Sequence, residues 1–212
     1  RLRCDWSSDV CSSDLPFTAS LTAFGEVRDG AELRRSAARP GDLVFVSGCF
    51  GDAALGLAVL KGALKGLNAP DEALLRDRYH LPRPRVGLGA RLFGLVHGLI
   101  DVSDGLVADL GHLCAASKVA AEIDVPRIPL SSAARAALAL DPAVLEKILA
   151  GGDDYELLFT AESEAATKLA AIAVELDLPI TAIGRITEGS GVTALDASGG
   201  QIDLPSTGWR HF

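Results

Sequence analysis

The 212-residue sequence has little of what membrane-spanning and nucleic-acid-binding proteins require. No stretch approaches the roughly 18 uninterrupted apolar residues of a membrane span, and no basic segment followed by an apolar one marks a secretory leader. The formal net charge is -8, and arginines such as Arg34, Arg83 and Arg85 are scattered rather than gathered into a basic tract. These absences predict a globular cytoplasmic chain that neither enters a membrane nor binds nucleic acid.

Several kinds of catalytic and metal-binding motif are also missing. The four cysteines include no C-x-x-C pair, and no His lies at zinc-ligand spacing from them. The sequence has no G-x-x-x-x-G-K-[ST] phosphate loop, and "GLGARLFG" does not have the spacing of a dinucleotide-binding fingerprint. No nucleophile has a paired histidine, so we interpret the dispersed histidines as surface or packing residues: His80, His97, His112 and His211.

The first 15 residues, "RLRCDWSSDVCSSDL", differ in composition from everything that follows. They are rich in Ser, Asp and Cys, lack apolar periodicity, and resemble a sequencing adapter translated as protein. We therefore expect residues 1–15 to be non-native and assign no functional residue to them. The alternative is a naturally disordered tail, since chain termini are often poorly ordered.

From Pro16 onward, apolar patterns of period two and period 3.6 alternate along the chain. The Pro40-Gly41 turn signal closes a connector over 30–42 that predicts a domain boundary. Ser163 is the expected cap of the last long helix. The predicted strands are 17–27, 43–48, 99–103, 119–125, the segment entered through 151–161, 179–186, 191–196 and 201–204. The predicted helices are 49–64, 70–80, 84–98, 104–117, 131–140, 142–150 and 163–177. This order predicts an α/β sandwich in which helices cover a mixed sheet.

The stretch "LIDVSDGLVADL" places Asp101, Ser103 and Asp104 where a strand gives way to a helix. Unpaired N–H groups and the helix dipole favour anions at such junctions. Ser103 or Asp104 could cap the helix, or the carboxylates could hold a magnesium ion that in turn holds a phosphate. A cap needs only one residue, and Asp101 points to the same side of the strand as Ser103. Residue types alone leave the two interpretations open.

Two glycine-rich stretches could also form part of a binding site. In "AGGDDYELLF", two glycines and the adjacent Asp153 and Asp154 precede a buried strand. In isolation this is most simply a solvated turn, in which water screens the repulsion between the carboxylates. The glycines of "SGCFGDAALGL" could bring backbone N–H groups close to a phosphate, although each of these signals is weak alone.

The motifs in combination resemble those of the thiamine-monophosphate kinase family. The segments "RSAARPGDLVFVSGCFGDAALGLAVL", "RPRVGLGARL", "IDVSDGLVADLGHL", "GGDDYELLFT", "IGRITEG" and the terminal "GWRHF" occur in the family's order. The resemblance extends from about residue 16 to the end of the chain. The wider superfamily, which includes aminoimidazole ribonucleotide synthetase, selenophosphate synthetase and a hydrogenase maturation protein, shares the fold and the use of ATP.

The resemblance implies transfer of the ATP γ-phosphoryl group to thiamine monophosphate, giving thiamine diphosphate and ADP. This reaction brings two anions together, so Mg²⁺ and an arginine are expected to neutralise charge, with no covalent enzyme intermediate. By motif match, Asp101 and Asp104 would be magnesium ligands, and Arg35 and Ser103 would contact ATP. Asp153 would contact the thiamine phosphate substrate. Trp209 would stack on a substrate ring.

The sequence also departs from the family pattern. Asp153 stands where the family more often has the longer Glu. The family carries an acidic N-terminal ATP-binding domain, of which residues 16–30 would be a remnant ahead of a C-terminal α/β domain over 31–212. The resemblance implies a homodimer for an intact protein, and we expect this chain by itself to be inactive. Two alternatives stay open, namely another ATP-using enzyme of the superfamily and a non-catalytic protein that binds thiamine phosphate.

Overall fold

The computed structural model describes residues 32–203 together with residues 22, 24, 26, 27, 29 and 30. The strands are β1 (Leu43–Ser47), β2 (Leu99–Val102), β3 (Ala120–Asp124), β4 (Glu156–Ala161), β5 (Ile180–Thr187), β6 (Gly191–Leu195) and β7 (Gln201–Ile202). The helices are α1 (Asp52–Leu60), α2 (Ala69–His80), α3 (Val86–Gly89), α4 (Leu106–Ser117), α5 (Ser132–Leu140), α6 (Val144–Ala150) and α7 (Ala166–Glu175). The strand predicted over 17–27 lies outside the continuously described residues.

The strands form one sheet in the order β2-β4-β1-β5-β3-β6-β7. β3 and β6 pair in parallel and every other pairing within the sheet is antiparallel, which confirms the mixed sheet. In the described part of the chain β2 is an edge strand with β4 as its neighbour, in a register that sets Asp101 opposite Leu157. The strand that carries Asp101 therefore lies at the border of the sheet.

Helices cover both faces of the sheet, because alternate side chains of each strand point to opposite sides. Val44, Val46 and Leu158 pack towards α4, whose Leu106 and Leu110 are fully buried. Phe45, Phe159 and Ala161 pack on the other face with Leu88 of α3 and Leu169 of α7. A third apolar cluster joins α1, α2, α5 and α6. No helix in the described residues is both long enough and apolar enough to cross a bilayer.

Local sequence explains several helix starts. Asn68 accepts the Asp71 N–H at 2.9 Å and Pro70 lies in the first turn, so α2 begins where the cap and the proline favour it. Ser131 accepts the Ala134 N–H at 3.0 Å at the start of α5. The expected cap by Ser163 is wrong. Ser163 lies in a 3-10 turn ahead of α7, and its hydroxyl donates to Glu164 instead.

The helix predicted over 84–98 is also wrong in most of its length, because only Val86–Gly89 is helical. Its apolar residues Leu88, Leu92 and Val96 are buried at helix-like spacing of four, which explains the prediction. Glycine is a poor helix former, and Gly94 adopts a φ of 71°, outside the helical region. The segment therefore covers the sheet as a series of turns.

Candidate active site

The first acidic motif lies in a turn, residues 103–105, that joins the edge strand β2 to α4; we call it the SDG turn. Val102 is buried and Asp101 is exposed, because the two residues point to opposite faces of the strand. Ser103 and Asp104 follow the last strand residue and precede Gly105, which occupies the N-cap position of α4. The junction predicted from the sequence is thus present.

The turn ahead of α4 is held by a residue that the sequence reasoning did not select. The N-cap position of α4 is occupied by Gly105, so the interpretation of Ser103 or Asp104 as the N-cap residue is wrong. Instead Asp109 reaches back from the first turns of the helix, and its Oδ2 accepts three backbone N–H groups: Ser103 at 2.9 Å, Asp104 at 2.9 Å and Gly105 at 3.2 Å. Burial raises the pKa of Asp109, and the three N–H groups oppose that rise. One buried carboxylate therefore fixes the backbone of the SDG turn.

The second acidic motif, residues 151–155, packs directly against the SDG turn; we call it the GGDDY loop. The Asp153 N–H donates to the Ser103 carbonyl at 2.9 Å, and the Tyr155 N–H donates to the Val102 carbonyl at 2.8 Å. A Cβ added to Gly152 would lie 2.3 Å from the Ser103 carbonyl oxygen, closer than real atoms approach. Glycine is therefore required here for a close backbone contact. The two motifs, about 50 residues apart in sequence, form one structural unit.

A cavity of about 690 Å³ opens on one side of this unit, and we call it the α4 cavity. Its lining includes Arg35, Asp101, Ser103, Asp104, Asp109 and His112. Four residues predicted to contact ATP or magnesium therefore surround one space. Because the lining combines a guanidinium with several carboxylates, it can bind an anion and a cation together.

A second cavity, of about 940 Å³, opens on the other side, and we call it the α1 cavity. Its lining includes Ala54, Leu57, Lys147, Ser103, Asp104 and Asp153. Asp153 is exposed there, and the Tyr155 hydroxyl donates to its carboxylate at 3.4 Å. Ser103 and Asp104 line both cavities, so the SDG turn forms a shared wall between them.

Among the described acids and histidines, Asp104, Asp109 and His112 are close enough to hold a metal ion together, with one candidate ligand atom from each lying within 4.8 Å of the others. Magnesium prefers carboxylate oxygens and water over imidazole nitrogen. The Asp109 oxygen that accepts three N–H groups is already engaged, so that oxygen is a poor magnesium ligand. Asp101 lines the same cavity without belonging to this cluster. These oxygen donors fit a magnesium ion, and the pairing of Asp101 with Asp104 stays a prediction.

The interpretation of the histidines as surface or packing residues leaves out the acidic neighbours of two of them, His97 and His112. His97 Nδ1 lies 2.9 Å from the buried Asp42 carboxylate. His112 lies beside Asp104 and Asp109 in the α4 cavity. The three-residue spacing of Asp109 and His112 on one helix was a signal that could have identified both. Trp209 and His211 lie outside the described residues.

Comparison with known proteins identifies the family of this chain. The family described as "AIR synthase related protein, C-terminal domain" matches residues 39–196. Thiamine-monophosphate kinase of Escherichia coli strain K12 is 37% identical over 197 residues, which cover 93% of this chain and 60% of that protein. The chain thus spans about 60% of the length of this curated relative.

Solved structures give the same result. The crystal structure of thiamine-monophosphate kinase from Stenotrophomonas maltophilia K279a superposes with a TM-score of 0.74 at 46% identity, covering 79% of this chain and 54% of that one. A structure described as AaThiL complexed with AMPPCP and TMP gives a TM-score of 0.71 at 36% identity, covering 85% of this chain and 54% of that one. Since the family match spans well over half of the sequence, the chain belongs to the AIR synthase related family, whose C-terminal domain it contains.

Proposed function

We propose that this chain is the C-terminal part of a thiamine-monophosphate kinase, which transfers the γ-phosphoryl group of ATP to thiamine monophosphate and yields thiamine diphosphate and ADP. The relatives of this name and the AaThiL complex with AMPPCP and TMP support the proposal. The observation that carries it is the shared wall: Ser103 and Asp104 line both the α4 cavity and the α1 cavity. Phosphoryl transfer requires a donor and an acceptor side by side.

The α4 cavity is the proposed nucleotide side. Arg35 and Ser103 would contact ATP phosphates, since a guanidinium and a hydroxyl both donate to phosphate oxygens. Asp101 and Asp104 would hold magnesium, which neutralises charge on the transferred group when it is bound. Asp109 keeps the Ser103 and Asp104 backbone in place, so these side chains do not have to be reorganised during the reaction.

The α1 cavity is the proposed side for thiamine monophosphate. Asp153 lines it, and the family's terminal tryptophan, Trp209 here, would stack on a substrate ring. Asp153 is one methylene shorter than the family's usual Glu, and the Tyr155 hydroxyl at 3.4 Å gives its carboxylate a fixed neighbour. We further propose a cytoplasmic homodimer for an intact protein, with small phosphate-bearing ligands as its partners.

Isothermal titration of the chain with thiamine monophosphate, and separately with AMPPCP in the presence of Mg²⁺, tests the proposal. We expect both ligands to bind, and Asp104→Asn to weaken AMPPCP binding at least about tenfold. Asp203→Asn, which removes an exposed carboxylate outside the cavities, is the matched control and should leave both affinities unchanged. Binding of neither ligand by the wild-type chain would refute the assignment.

A chimera tests transfer itself. The N-terminal portion of the Escherichia coli relative, joined ahead of residue 32 of this chain, should form thiamine diphosphate from ATP and thiamine monophosphate, measured by chromatography. The same chimera with Asp104→Asn should lose most of this activity. ATP turnover with an aminoimidazole precursor or with selenide in place of thiamine monophosphate would point to another member of the superfamily. Thiamine monophosphate binding without ATP consumption would point to a binding protein.

A further inference from the structure

Asp154 follows Asp153 directly, but its carboxylate interacts with a different part of the molecule. Whereas Asp153 is exposed in the α1 cavity, Asp154 Oδ2 accepts the Gly51 N–H at 2.9 Å. Gly51 is the N-cap residue of α1 and has no side chain with which to cap it. Asp154, 103 residues away in sequence, thus provides a carboxylate acceptor at the start of α1.

The GGDDY loop adopts a backbone conformation that needs outside support. Asp153 has a φ of 70° and Tyr155 a φ of 50°, both in the left-handed region that residues other than glycine rarely adopt. Each such residue is strained by roughly 1 kcal/mol or more unless its surroundings hold it. Two backbone hydrogen bonds hold the loop against Val102 and Ser103, and the Asp154 carboxylate holds it against α1.

The surroundings of Asp154 disfavour an ionised carboxylate. Burial raises its pKa to about 8, and the nearby Asp52 and Glu156 carboxylates act in the same direction. The backbone N–H groups of Gly51 and Ala53 oppose the rise. Charged residues around this cluster include Arg78, 3.8 Å from Asp52, and Arg85, which pairs with Glu156. The presence of Asp154 as a third acid beside Asp52 and Glu156 therefore needs a reason other than packing.

We propose that Asp154 is a positioning residue. By joining the GGDDY loop to the first turn of α1, it holds the Asp153 carboxylate in the α1 cavity, where the anion-bearing substrate binds. This inference rests on the proposed function for the identity of the substrate, but its geometric part concerns only the loop. The two adjacent acids therefore have different roles. Asp153 faces the ligand, and Asp154 holds Asp153 in place.

The test uses the full chain and two ligands. Asp154→Ala should weaken thiamine monophosphate binding about tenfold or more, since loosening a contact residue by a small distance costs substantial binding. It should leave AMPPCP binding with Mg²⁺ within about twofold, because the SDG turn keeps its own anchor in Asp109. Asp154→Asn should recover most of the lost affinity, because its amide oxygen can accept the Gly51 N–H. Equal losses for both ligands, or no loss, would overturn the proposal.

The matched control is Asp52→Asn, which alters a neighbouring acid of the same buried cluster whose hydrogen bond goes to Ser131 and not to the loop. Asp52 accepts the Ser131 hydroxyl at 2.5 Å, and its replacement should leave thiamine monophosphate binding unchanged. If circular dichroism shows that Asp154→Ala does not fold, Asp154→Glu replaces it. The added methylene displaces the loop and should give the same ligand-selective loss.

Hydrogen exchange separates failure of this inference from failure of the proposed function. If the wild-type chain binds neither ligand, the substrate assignment fails, and the exchange rates of the Asp153 and Tyr155 amides then decide the geometric part. Asp154→Ala should raise both rates about tenfold or more, while the amides of β4 exchange as in the wild type. Unchanged exchange at these two amides would overturn the positioning role of Asp154.

Discussion

The SDG turn and the GGDDY loop are both short acidic segments at one edge of the sheet, yet they are held in different ways. Asp109 holds the SDG turn from within the next helix, four to six residues away. The GGDDY loop is held by Gly51 through Asp154, 103 residues away, and by carbonyl groups of Val102 and Ser103. The turn therefore carries its anchor in its own sequence, whereas the loop acquires its anchors only when the sheet and α1 are assembled.

The two segments should accordingly respond differently to damage. A local anchor forms together with its helix, while long-range anchors form at the cost of closing long stretches of chain. We expect substitutions of residues that support the GGDDY loop to lower the stability of the whole domain. Substitutions of residues that support the SDG turn should mainly weaken nucleotide binding.

The largest effect is expected at Glu156, the first residue of β4 behind the GGDDY loop. Its carboxylate is buried, accepts the Ser47 hydroxyl at 2.6 Å and pairs with Arg85. Glu156→Ala leaves a guanidinium without its partner in a poorly hydrated place and should lower the free energy of unfolding by about 3 to 5 kcal/mol. Urea denaturation measures it.

The control for Glu156 is Glu122→Ala. Glu122 pairs with Arg185 at 2.6 Å on the surface of the sheet, so its loss should lower stability by less than about 1 kcal/mol. Similar losses of stability for the two variants would show that the Glu156–Arg85 pair contributes no more than a surface ion pair.

The next largest effect is expected where the two segments touch. A Cβ at residue 152 would lie 2.3 Å from the Ser103 carbonyl oxygen, so Gly152→Ala must push the loop away from the turn. We expect a loss of about 2 to 3 kcal/mol and weaker binding of both ligands, because Ser103 and Asp153 then separate. Gly111→Ala is the control, since Gly111 lies in α4 with open space around it. It should stabilise the chain by about 0.5 to 1 kcal/mol. Ligand binding unaffected by Gly152→Ala would contradict a shared wall.

Much of this architecture could be predicted from the sequence because its signals are local. Apolar runs and glycine turns predicted β1 followed by α1, and β2 followed by α4, and the structure confirms both. The segment 84–98 failed because three buried leucine and valine side chains reproduced a helical period while glycines favoured turns. A pattern of burial reports which residues face the core and does not by itself report the backbone path.

The site residues likewise divide into those with a local sequence signal and those brought together only by the fold. Arg35, Asp101, Ser103 and Asp104 were selected from motifs, and the structure gathers them around one cavity. Asp109 was missed although its signal was local, because a cap is expected at the start of a helix and this acceptor lies inside the helix. The contact of Asp154 with Gly51 could not be read from any spacing, since only the folded sheet brings positions 103 residues apart together.

A smaller effect is expected at Asp109 itself. Asp109→Asn keeps an oxygen that can accept N–H groups but loses the charge that strengthens three hydrogen bonds, so stability should fall by about 1 to 2 kcal/mol. AMPPCP binding with Mg²⁺ should weaken while thiamine monophosphate binding stays close to wild type. This selectivity is the mirror image of that expected for Asp154→Ala. Titration calorimetry with both ligands checks it, and a loss confined to thiamine monophosphate would contradict the assignment of the two cavities.

The smallest effect concerns pH and the anchor of the loop. Burial raises the Asp154 pKa to about 8 from a model-peptide value of 3.8, so between these values the folded chain keeps a proton that the unfolded chain has lost. Stability should therefore fall as pH rises through this window, and this contribution is complete only at low pH. The pKa values of Asp52 and Asp109 are raised too, so they add a fall of the same sign.

Asp154→Asn has no proton to lose at this position, so its unfolding free energy should fall less steeply with pH than that of the wild type. Between about pH 6 and about pH 7 the difference should be below about 1 kcal/mol, since a half-buried carboxyl is partly screened by water. Urea denaturation of both chains at the two pH values measures it. Parallel slopes would mean that Asp154 is already ionised in the folded chain, and that its bond to Gly51 is made by the charged carboxylate throughout this range.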